Sequence, residues 1–298
     1  MRVGVAAFIG WLVIGGGGSA GAKPVTGRVR REAAARAAVI GGRVAEPGTF
    51  PFMADVFIRG EGGNLYGCTG TVVAPRLVLT AGHCLFDPRT GVRFAPSAYT
   101  VTTDAINWLE GEGRERRAVR ATVVFPGYRR SGPLAGFGDA GLLVLSRPVR
   151  AEPIQLATPG EPELWAPGTR GLIAGWGMTS PDQEGFTRSL RWAETVIQSP
   201  WWCDHYAGGF HPVGQLCSID PPHFETGGCR GDSGGPLVVY RGAEAEENEE
   251  EGEEGEQEPV EVGIIVSGQE NCATTSPTVY TKAALIAPWV RSWIRRVG

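Results

Sequence analysis

The sequence predicts an all-β protein, and three observations support that class. The 298 residues include 45 Gly and 22 Pro, an abundance of turn residues that disfavours a helical bundle. From Val39 onward, short apolar or β-branched runs alternate with Gly, Pro, Asn and Asp, as is typical of a sandwich or barrel of short strands. The composition is 42% hydrophobic and 20% charged, which excludes a disordered chain and supplies enough apolar side chains for a sizeable core.

The N-terminal segment indicates export and processing. Arg2 precedes an apolar run over residues 3–14, and small residues then lead to Ala20-Gly21-Ala22, a pattern typical of a secretory signal and its cleavage site. The run is too short to span a bilayer. We therefore expect a signal peptide over 1–22, a secreted protein, and no membrane association after cleavage. Residues 23–38 are polar, basic and Ala-rich, and we interpret them as a pro-segment.

The predicted strands follow one another without helical patterns between them. The last segment differs, because apolar residues within 283–296 recur at helical spacing and predict an amphipathic helix docked through Trp289 and Trp293. The clearest strand-like runs are 71–73, 76–80, 121–125, 141–145, 172–174, 237–240 and 262–266.

An acidic tract over 241–261 contains eleven glutamates and lies between two strand-like runs. It has little apolar area to bury and its charges repel, so we expect a solvated loop that lengthens a hairpin. A calcium site or a cationic partner is the alternative, but the tract lacks the spaced ligand pattern of a calcium loop. The formal net charge of −4 offers no basic footprint for nucleic acid or an anionic membrane surface.

The six cysteines favour disulfides over a metal site. An even number in an exported chain is typical of three disulfides, whose pairing the count alone leaves open. No CxxC occurs and the four histidines form no ligand cluster with the cysteines, so we expect no metal and no cofactor. The cysteines are Cys68, Cys84, Cys203, Cys217, Cys229 and Cys272.

The segment Gly231-Asp232-Ser233-Gly234-Gly235-Pro236 offers a nucleophile. Glycines around one serine let the backbone turn sharply, so the N–H groups of Gly231 and Ser233 can face a developing negative charge. Composition by itself would describe this segment as an ordinary turn.

This segment resembles the nucleophile motif of the chymotrypsin/trypsin family of serine endopeptidases, and further motifs extend the resemblance over most of residues 39–298. The order histidine, aspartate, serine differs from that of subtilisins and α/β-hydrolases. The further motifs are Thr80-Ala81-Gly82-His83-Cys84, where the family more often has alanine at position 82, Asp139-Ala140-Gly141-Leu142-Leu143, Gly175-Trp176-Gly177 and Pro277-Thr278-Val279-Tyr280.

The resemblance implies two six-stranded antiparallel β-barrels packed face to face with a C-terminal α-helix. It implies that Ser233 attacks the scissile carbonyl, that His83 is the general base and acid, and that Asp139 orients His83. Asp104 also lies between the histidine and the serine, but the apolar run after Asp139 favours the latter. The oxyanion hole would be formed by the amides of Gly231 and Ser233.

The resemblance further implies the pairings Cys68–Cys84, Cys203–Cys217 and Cys229–Cys272. The expected partners are protein or peptide substrates and protein inhibitors, and the expected state is a monomer. A binding protein that keeps the fold without the chemistry is the competing hypothesis, and the intact catalytic motifs argue against it.

The segment Val39-Ile40-Gly41-Gly42 resembles the family's mature N-terminus. Cleavage before Val39 would free an α-amine that pairs with Asp232. The preceding residue is Ala38, where trypsin-like activators prefer Arg or Lys. We therefore hypothesise that Ala38 fits the enzyme's own pocket and allows self-cleavage.

The pocket residues predict a preference for small or medium apolar side chains. Gly227 stands where trypsin-like members have a charged Asp, Gly228 follows it, and Thr278 stands where many members have Gly. Gly268 would form part of the pocket wall. The family's serine that bonds the catalytic Asp aligns with Val266, or with Ser267 if the alignment slips by one residue, and the preceding apolar run favours the slip.

Overall fold

The structure is a computed structural model that describes residues 39–242 except 112, 181 and 184, then 257–267 and 272–297. The predicted signal peptide, the predicted pro-segment, residues 243–256 of the acidic tract and Gly268 lie outside the described residues. Within the described ranges, no helix is long and apolar enough to cross a membrane.

The described chain forms strands from its alternating and β-branched runs, and two α-helices. The helices are α1 (Pro200–Tyr206) and α2 (Ala283–Val297). The strands are β1 (Arg43–Val44), β2 (Met53–Arg59), β3 (Leu65–Ala74), β4 (Leu77–Thr80), β5 (Tyr99–Thr103), β6 (Glu115–Val124), β7 (Gly141–Leu145), β8 (Gln155–Leu156), β9 (Arg170–Gly175), β10 (Arg191–Ile197), β11 (Gln215–Ile219), β12 (Pro236–Arg241), β13 (Glu258–Ser267) and β14 (Thr278–Lys282).

The first barrel closes in the order β2-β3-β4-β7-β6-β5, with every neighbouring pair antiparallel. In β2 the alternate residues Ala54, Val56 and Ile58 are at most 1% exposed. This period of two places one face of the strand in the barrel interior. Closure removes the unpaired sheet edges that would otherwise template aggregation.

The second barrel closes in the order β9-β10-β11-β14-β13-β12, again antiparallel. Its core includes Leu237 and Tyr280, both fully buried. Outside the closed ring, β1 pairs with β10 and the short β8 pairs in parallel with β13. The predicted fold class of two six-stranded barrels with a C-terminal helix is confirmed.

Helix α2 follows directly after β14 and returns to the first barrel. Ile286 and Val290 are fully buried, and Trp289 meets Phe125 edge to face at 5.3 Å between ring centroids. Trp293 is partly buried against the same core, as the helical spacing predicted. The sequence pattern gave no prediction of α1, which begins after Ser199, whose hydroxyl accepts the Trp202 amide at 3.2 Å.

A buried carboxyl links the two barrels, and it comes from the tract predicted as a solvated loop; that prediction is wrong for residues 258–261, which belong to β13. Glu261 of β13 is fully buried, and its Oε2 accepts the Thr71 hydroxyl of β3 at 2.7 Å. Its Oε1 has no described partner. Burial raises the pKa of Glu261 to about 8, against the lowering effect of the Thr71 bond.

Replacing this acid should change how stability depends on pH. Because the folded-state pKa of about 8 exceeds the ordinary 4.5, the folded protein retains a proton, and the free energy of unfolding falls as pH rises between those values. Glu261→Gln should therefore unfold with a free energy higher by about 1–3 kcal/mol at pH 9 and little changed at pH 4. Urea unfolding at both pH values measures this, with Glu46→Gln on the surface as the control. An equal difference at both pH values would contradict the assignment.

Candidate active site

His83 is held at the end of a buried strand. All four residues of β4 are buried, and the chain then passes Gly82 into a single 3-10 turn over His83–Leu85. The disulfide Cys68–Cys84 joins this turn to β3. The backbone of His83 is thus fixed on both sides, while its side chain remains 37% exposed.

Asp139 reaches His83 because of strand pairing. It lies two residues before β7, and Thr80 at the end of β4 pairs with Gly141 at the start of β7. The His83 ring Nδ1 lies 2.8 Å from Asp139 Oδ2, and the His83 backbone amide donates to Oδ1 at 2.7 Å. The Asp139 side chain is 6% exposed, whereas Asp104 is exposed just after β5.

The loop that carries Ser233 packs against the same strand ends. The Thr69 amide of β3 donates to the Ser233 carbonyl oxygen at 2.8 Å. Gly234 has φ of +86°, and a Cβ there would lie 2.2 Å from both the Thr69 carbonyl oxygen and Thr80 Oγ1. Glycine is therefore required for the approach that brings Ser233 beside the His83 turn. Among the described contacts, the Ser233 hydroxyl and the His83 ring form no hydrogen bond, a bond that often tightens only with substrate.

The two predicted oxyanion donors have uncommitted amides. Gly231 has φ of +99°, and its carbonyl oxygen accepts the Thr69 hydroxyl at 2.9 Å. The peptide that carries the Gly231 N–H is held by the Met178 amide, which donates to the Arg230 carbonyl oxygen at 2.7 Å. The N–H groups of Gly231 and Ser233 donate to no described residue. Two N–H groups that are held rigidly and left without partners can stabilise an oxyanion as it forms.

The electrostatics of His83 suit a general base. Burial disfavours the imidazolium, but the charge and hydrogen bond of Asp139 outweigh burial and raise the pKa of His83 above 6.5. The imidazole is therefore a stronger base than a free histidine. Because Nδ1 faces Asp139, Nε2 is the ring atom available to a nucleophile.

The predicted pocket residues Gly227, Gly228 and Thr278 lie close together. The Gly228 amide donates to Thr278 Oγ1 at 3.1 Å, and Thr278 Cγ2 lies 3.3 Å from where a Gly228 Cβ would stand. The atoms nearest to a Cβ built on Gly227 belong to Thr274 and Thr278. Ile265 approaches Gly228 to 3.8 Å by the same measure, so the nearest described side chains around both glycines are uncharged.

Thr274 and Ile265 were not predicted as pocket residues. Ile265 precedes a bulge in β13, where Ile265 pairs with Tyr280 and Ser267 pairs with Val279. Ser267 is exposed, and within the described contacts it makes no bond to Asp139. The bond from Ser267 to the catalytic Asp that the alignment slip implies is thus not present among the described contacts. The bulge could not be read from an apolar run, and the loop around Thr274 carries no pattern.

Asp232 is fully buried beside Val39. Its carboxylate accepts the amides of Gly177 at 2.8 Å and Cys229 at 2.9 Å, and the backbone N–H of Val39 also donates to it. Burial nevertheless raises the pKa of Asp232 to about 7. Val39 is itself fully buried, and the Ile40 amide donates to the Gly227 carbonyl oxygen at 2.8 Å. The predicted activation residues thus adjoin the predicted pocket.

The structure forms the three disulfides that the resemblance implied: Cys68–Cys84, Cys203–Cys217 and Cys229–Cys272. The last bridge ties the nucleophile loop to the chain that leads into β14. In the described part of the chain, one cluster of metal-ligating residue types consists of His83 and the bridged pair Cys68–Cys84. Disulfide sulfurs are not thiolates, so this cluster supplies no metal site.

A basic imidazole, a serine in a glycine-rich turn and two uncommitted amides are the groups that acyl transfer requires. The fold and the site together define a serine endopeptidase.

Comparison with known proteins places the chain within a family. The sequence profile described as Trypsin matches residues 39–290, and the chain belongs to the trypsin family. It is 30% identical to Kallikrein-11 of Homo sapiens over 265 residues, covering 86% of this chain and 80% of that protein. It is also 30% identical to Cathepsin G of Mus musculus over 266 residues, covering 87% and 86%. The solved structure described as "Structure of GrC" superimposes with a TM-score of 0.68 at 25% identity, covering 86% of this chain and all of the other.

The pKa of His83 should appear in the pH profile. We expect kcat/KM for a peptide to fall as pH drops through that pKa, above pH 6.5, because a protonated imidazole accepts no proton from Ser233. Asp139→Asn removes the raising charge, so the acid limb should move to lower pH and kcat should fall about 10³–10⁴-fold. Asp104→Asn is the matched control and should leave both unchanged. An acid limb that stays in place in Asp139→Asn would refute this role of the carboxylate.

Proposed function

We propose that this serine endopeptidase is secreted as a precursor, is activated by cleavage before Val39, and cleaves after small or medium apolar residues. The bond between the Gly228 amide and Thr278 Oγ1 supports the specificity, because it holds a β-branched side chain across the pocket base. The predicted signal over residues 1–22 supports secretion. Substrates would be proteins or peptides, protein inhibitors would occupy the same site, and the active form would be a monomer.

The proposed reaction gives each of the three side chains one role. His83 Nε2 accepts the proton of the Ser233 hydroxyl as the oxygen bonds to the scissile carbonyl carbon. The imidazolium then donates this proton to the leaving amine, and an acyl-enzyme remains on Ser233. Water repeats the sequence, with His83 taking its proton and returning it to Ser233 as the acid product leaves. Asp139 holds Nδ1 throughout and stabilises the imidazolium.

The oxyanion of each tetrahedral intermediate would lie between the N–H groups of Gly231 and Ser233. Because the Met178 amide holds the peptide between Arg230 and Gly231, the Gly231 N–H is set before substrate binds. Preorganisation of this kind avoids reorganising dipoles as charge develops, which is a major source of rate enhancement.

The pocket should discriminate mainly by shape. The Thr278 hydroxyl oxygen accepts a hydrogen bond from the Gly228 amide, so the substrate meets a methyl group and glycine backbone. A pocket without a charge gives a basic side chain no counterion, and burying such a side chain would be costly. Differences of one methylene are worth about 1–3 kcal/mol, so several small apolar residues should be accepted.

Changes at Thr278 should redirect this preference. Thr278→Gly removes the obstruction, and the ratio of kcat/KM for a Phe substrate to that for an Ala substrate should rise about tenfold or more. Thr278→Ser keeps the oxygen bonded to Gly228 but loses the methyl group, so it should give a smaller shift in the same direction. Peptides that differ only in the residue before the cut provide the measurement. Selective cleavage after Arg or Lys by the unmodified enzyme would rule out the proposed specificity.

Activation would supply Asp232 with a positively charged partner. In the intact chain Val39 offers a neutral amide, and the buried carboxyl has a pKa of about 7. Cleavage before Val39 would turn that amide into an ammonium, and a buried carboxylate is far more stable beside an opposite charge. This change would lock the loop that carries Gly231 and Ser233.

Self-cleavage follows from the small residue at position 38. Ala38 matches the proposed preference, so secreted wild-type protein from a protease-deficient host should begin at Val39, whereas Ser233→Ala should retain its pro-segment. N-terminal sequencing of both proteins decides this. Ala38→Arg should block processing of the otherwise intact enzyme. A Ser233→Ala protein that still begins at Val39 would show that another protease performs the cut.

A further inference from the structure

The Asp139 carboxylate has a neighbour beyond His83. Both of its described side-chain hydrogen bonds run to His83, one to Nδ1 and one to the backbone amide. Among the described contacts, no side chain of β13 donates to Asp139, whether the family's serine aligns with Val266 or with Ser267. Because Asp139 is almost fully buried, its remaining lone pairs require a donor from another element.

Tyr128 lies in a turn that is tied to the chain around Asp139. The Tyr128 amide donates to the Phe125 carbonyl oxygen at 2.9 Å, just after β6, and the Phe125 amide donates to the Ala140 carbonyl oxygen at 3.0 Å. Phe125 is in turn packed against Trp289. The aromatic side chain of Tyr128 is therefore anchored through a turn bonded to the residue that follows Asp139.

Gly82 provides the space for this aromatic side chain. A Cβ at position 82 would lie 2.9 Å from Tyr128 Cδ1 and equally 2.9 Å from Asp139 Oδ1. Real Cβ contacts are not so short, so an alanine here would displace the ring, the carboxylate or both. The glycine that departs from the commoner family motif is thus the residue over which Tyr128 and Asp139 meet.

The Tyr128 ring and the Asp139 carboxylate both lie against Gly82, which brings the carboxylate into the electrostatic surroundings of the phenol. Burial, followed by the charge of Asp139, raises the pKa of Tyr128 above its ordinary range, the hydrogen bond to Asp139 acts in the same direction, and only the charge of Arg130 opposes them. The phenol consequently stays protonated at every pH at which His83 can act as a base. A neutral phenol beside a carboxylate donates its proton to that hydrogen bond.

We infer that Tyr128 is a positioning residue that holds the Asp139 carboxylate through its hydroxyl, with Gly82 providing the space it needs. This inference rests on the proposed role of Asp139 in orienting His83. Tyr128 itself touches neither substrate nor the reacting atoms.

Two consequences distinguish this role from simple packing. Without the hydroxyl, the carboxylate is free to rotate about its bonds to His83, so the imidazole is less well oriented and kcat falls while KM changes little. The carboxylate also loses a hydrogen bond that withdraws negative charge. It then stabilises the imidazolium more strongly, and the acid limb of kcat/KM moves to higher pH.

The test is Tyr128→Phe, which removes one oxygen and keeps the ring. We expect kcat per active site to fall about tenfold, KM to stay within about twofold, and the acid limb to rise by about half a pH unit. Active sites are counted by stoichiometric labelling with an organophosphonate, so losses in folding do not enter kcat. Tyr240→Phe, a partly buried tyrosine of β12 in the other barrel, is the matched control and should match the wild type in all three quantities.

The variant Gly82→Ala provides a second, independent test of this role. If its effect acts through Tyr128, the double variant Gly82→Ala with Tyr128→Phe should lose no more kcat than the more impaired single variant. Wild-type enzyme that neither labels nor cleaves would refute the proposed function itself. Active wild type together with a Tyr128→Phe enzyme of unchanged kcat and unchanged acid limb, or losses that simply multiply in the double variant, would overturn the positioning role.

Discussion

The antiparallel pairing of β4 with β7 is the constraint on which the site depends. His83 follows the end of one strand and Asp139 precedes the start of the other, and the Thr80–Gly141 pair fixes the distance between them. Closing a sheet into a barrel sets the register of every strand, so this pairing cannot slip without disturbing the whole first barrel. The rigidity of the imidazole–carboxylate pair is therefore a property of the barrel as a whole.

Buried carboxyl side chains are a second feature of the structure. Asp232 and Glu261 are fully buried and Asp55 nearly so, and burial raises the pKa of Asp232 and Asp55 to about 7 and that of Glu261 to about 8. Asp55 and Glu261 each keep one carboxyl oxygen without a described partner. Such groups are retained at a cost in stability. Asp232 differs from the other two, because Val39, whose amide it accepts, could become a cation on cleavage.

Much of the fold was accessible from the sequence, for identifiable reasons. Turn residues and β-branched runs indicate short strands, and the Trp spacing of α2 indicates a docked helix. The resemblance of their motifs to the chymotrypsin/trypsin family grouped His83, Asp139 and Ser233, and the structure brings their segments together. Closure of each barrel and its register depend on non-local pairing, which no local pattern encodes.

The finer contacts of the site escaped sequence reasoning. The bulge between Ile265 and Ser267 shifts the register of β13 against β14, and bulges carry no dependable signature in an apolar run. Thr274 reaches the pocket from a loop without periodicity. Gly82 departs from the family motif, and the contact that explains this departure is with Tyr128, which lies 46 positions later in the sequence. That contact is tertiary and lies outside any window of neighbouring residues.

Strand β3 carries contacts that join the chemical halves of the site. Thr69 bonds both Gly231 and Ser233 of the nucleophile loop, while Thr71 bonds Glu261 of the second barrel. From the other side, the Thr281 hydroxyl of β14 donates to the Asp139 carbonyl oxygen at 3.0 Å. Nucleophile and base thus belong to different barrels. The packing of one barrel against the other sets the distance between these two residues. The turnover number kcat therefore depends on how the two barrels pack against each other. A packing defect deep in either core can lower kcat.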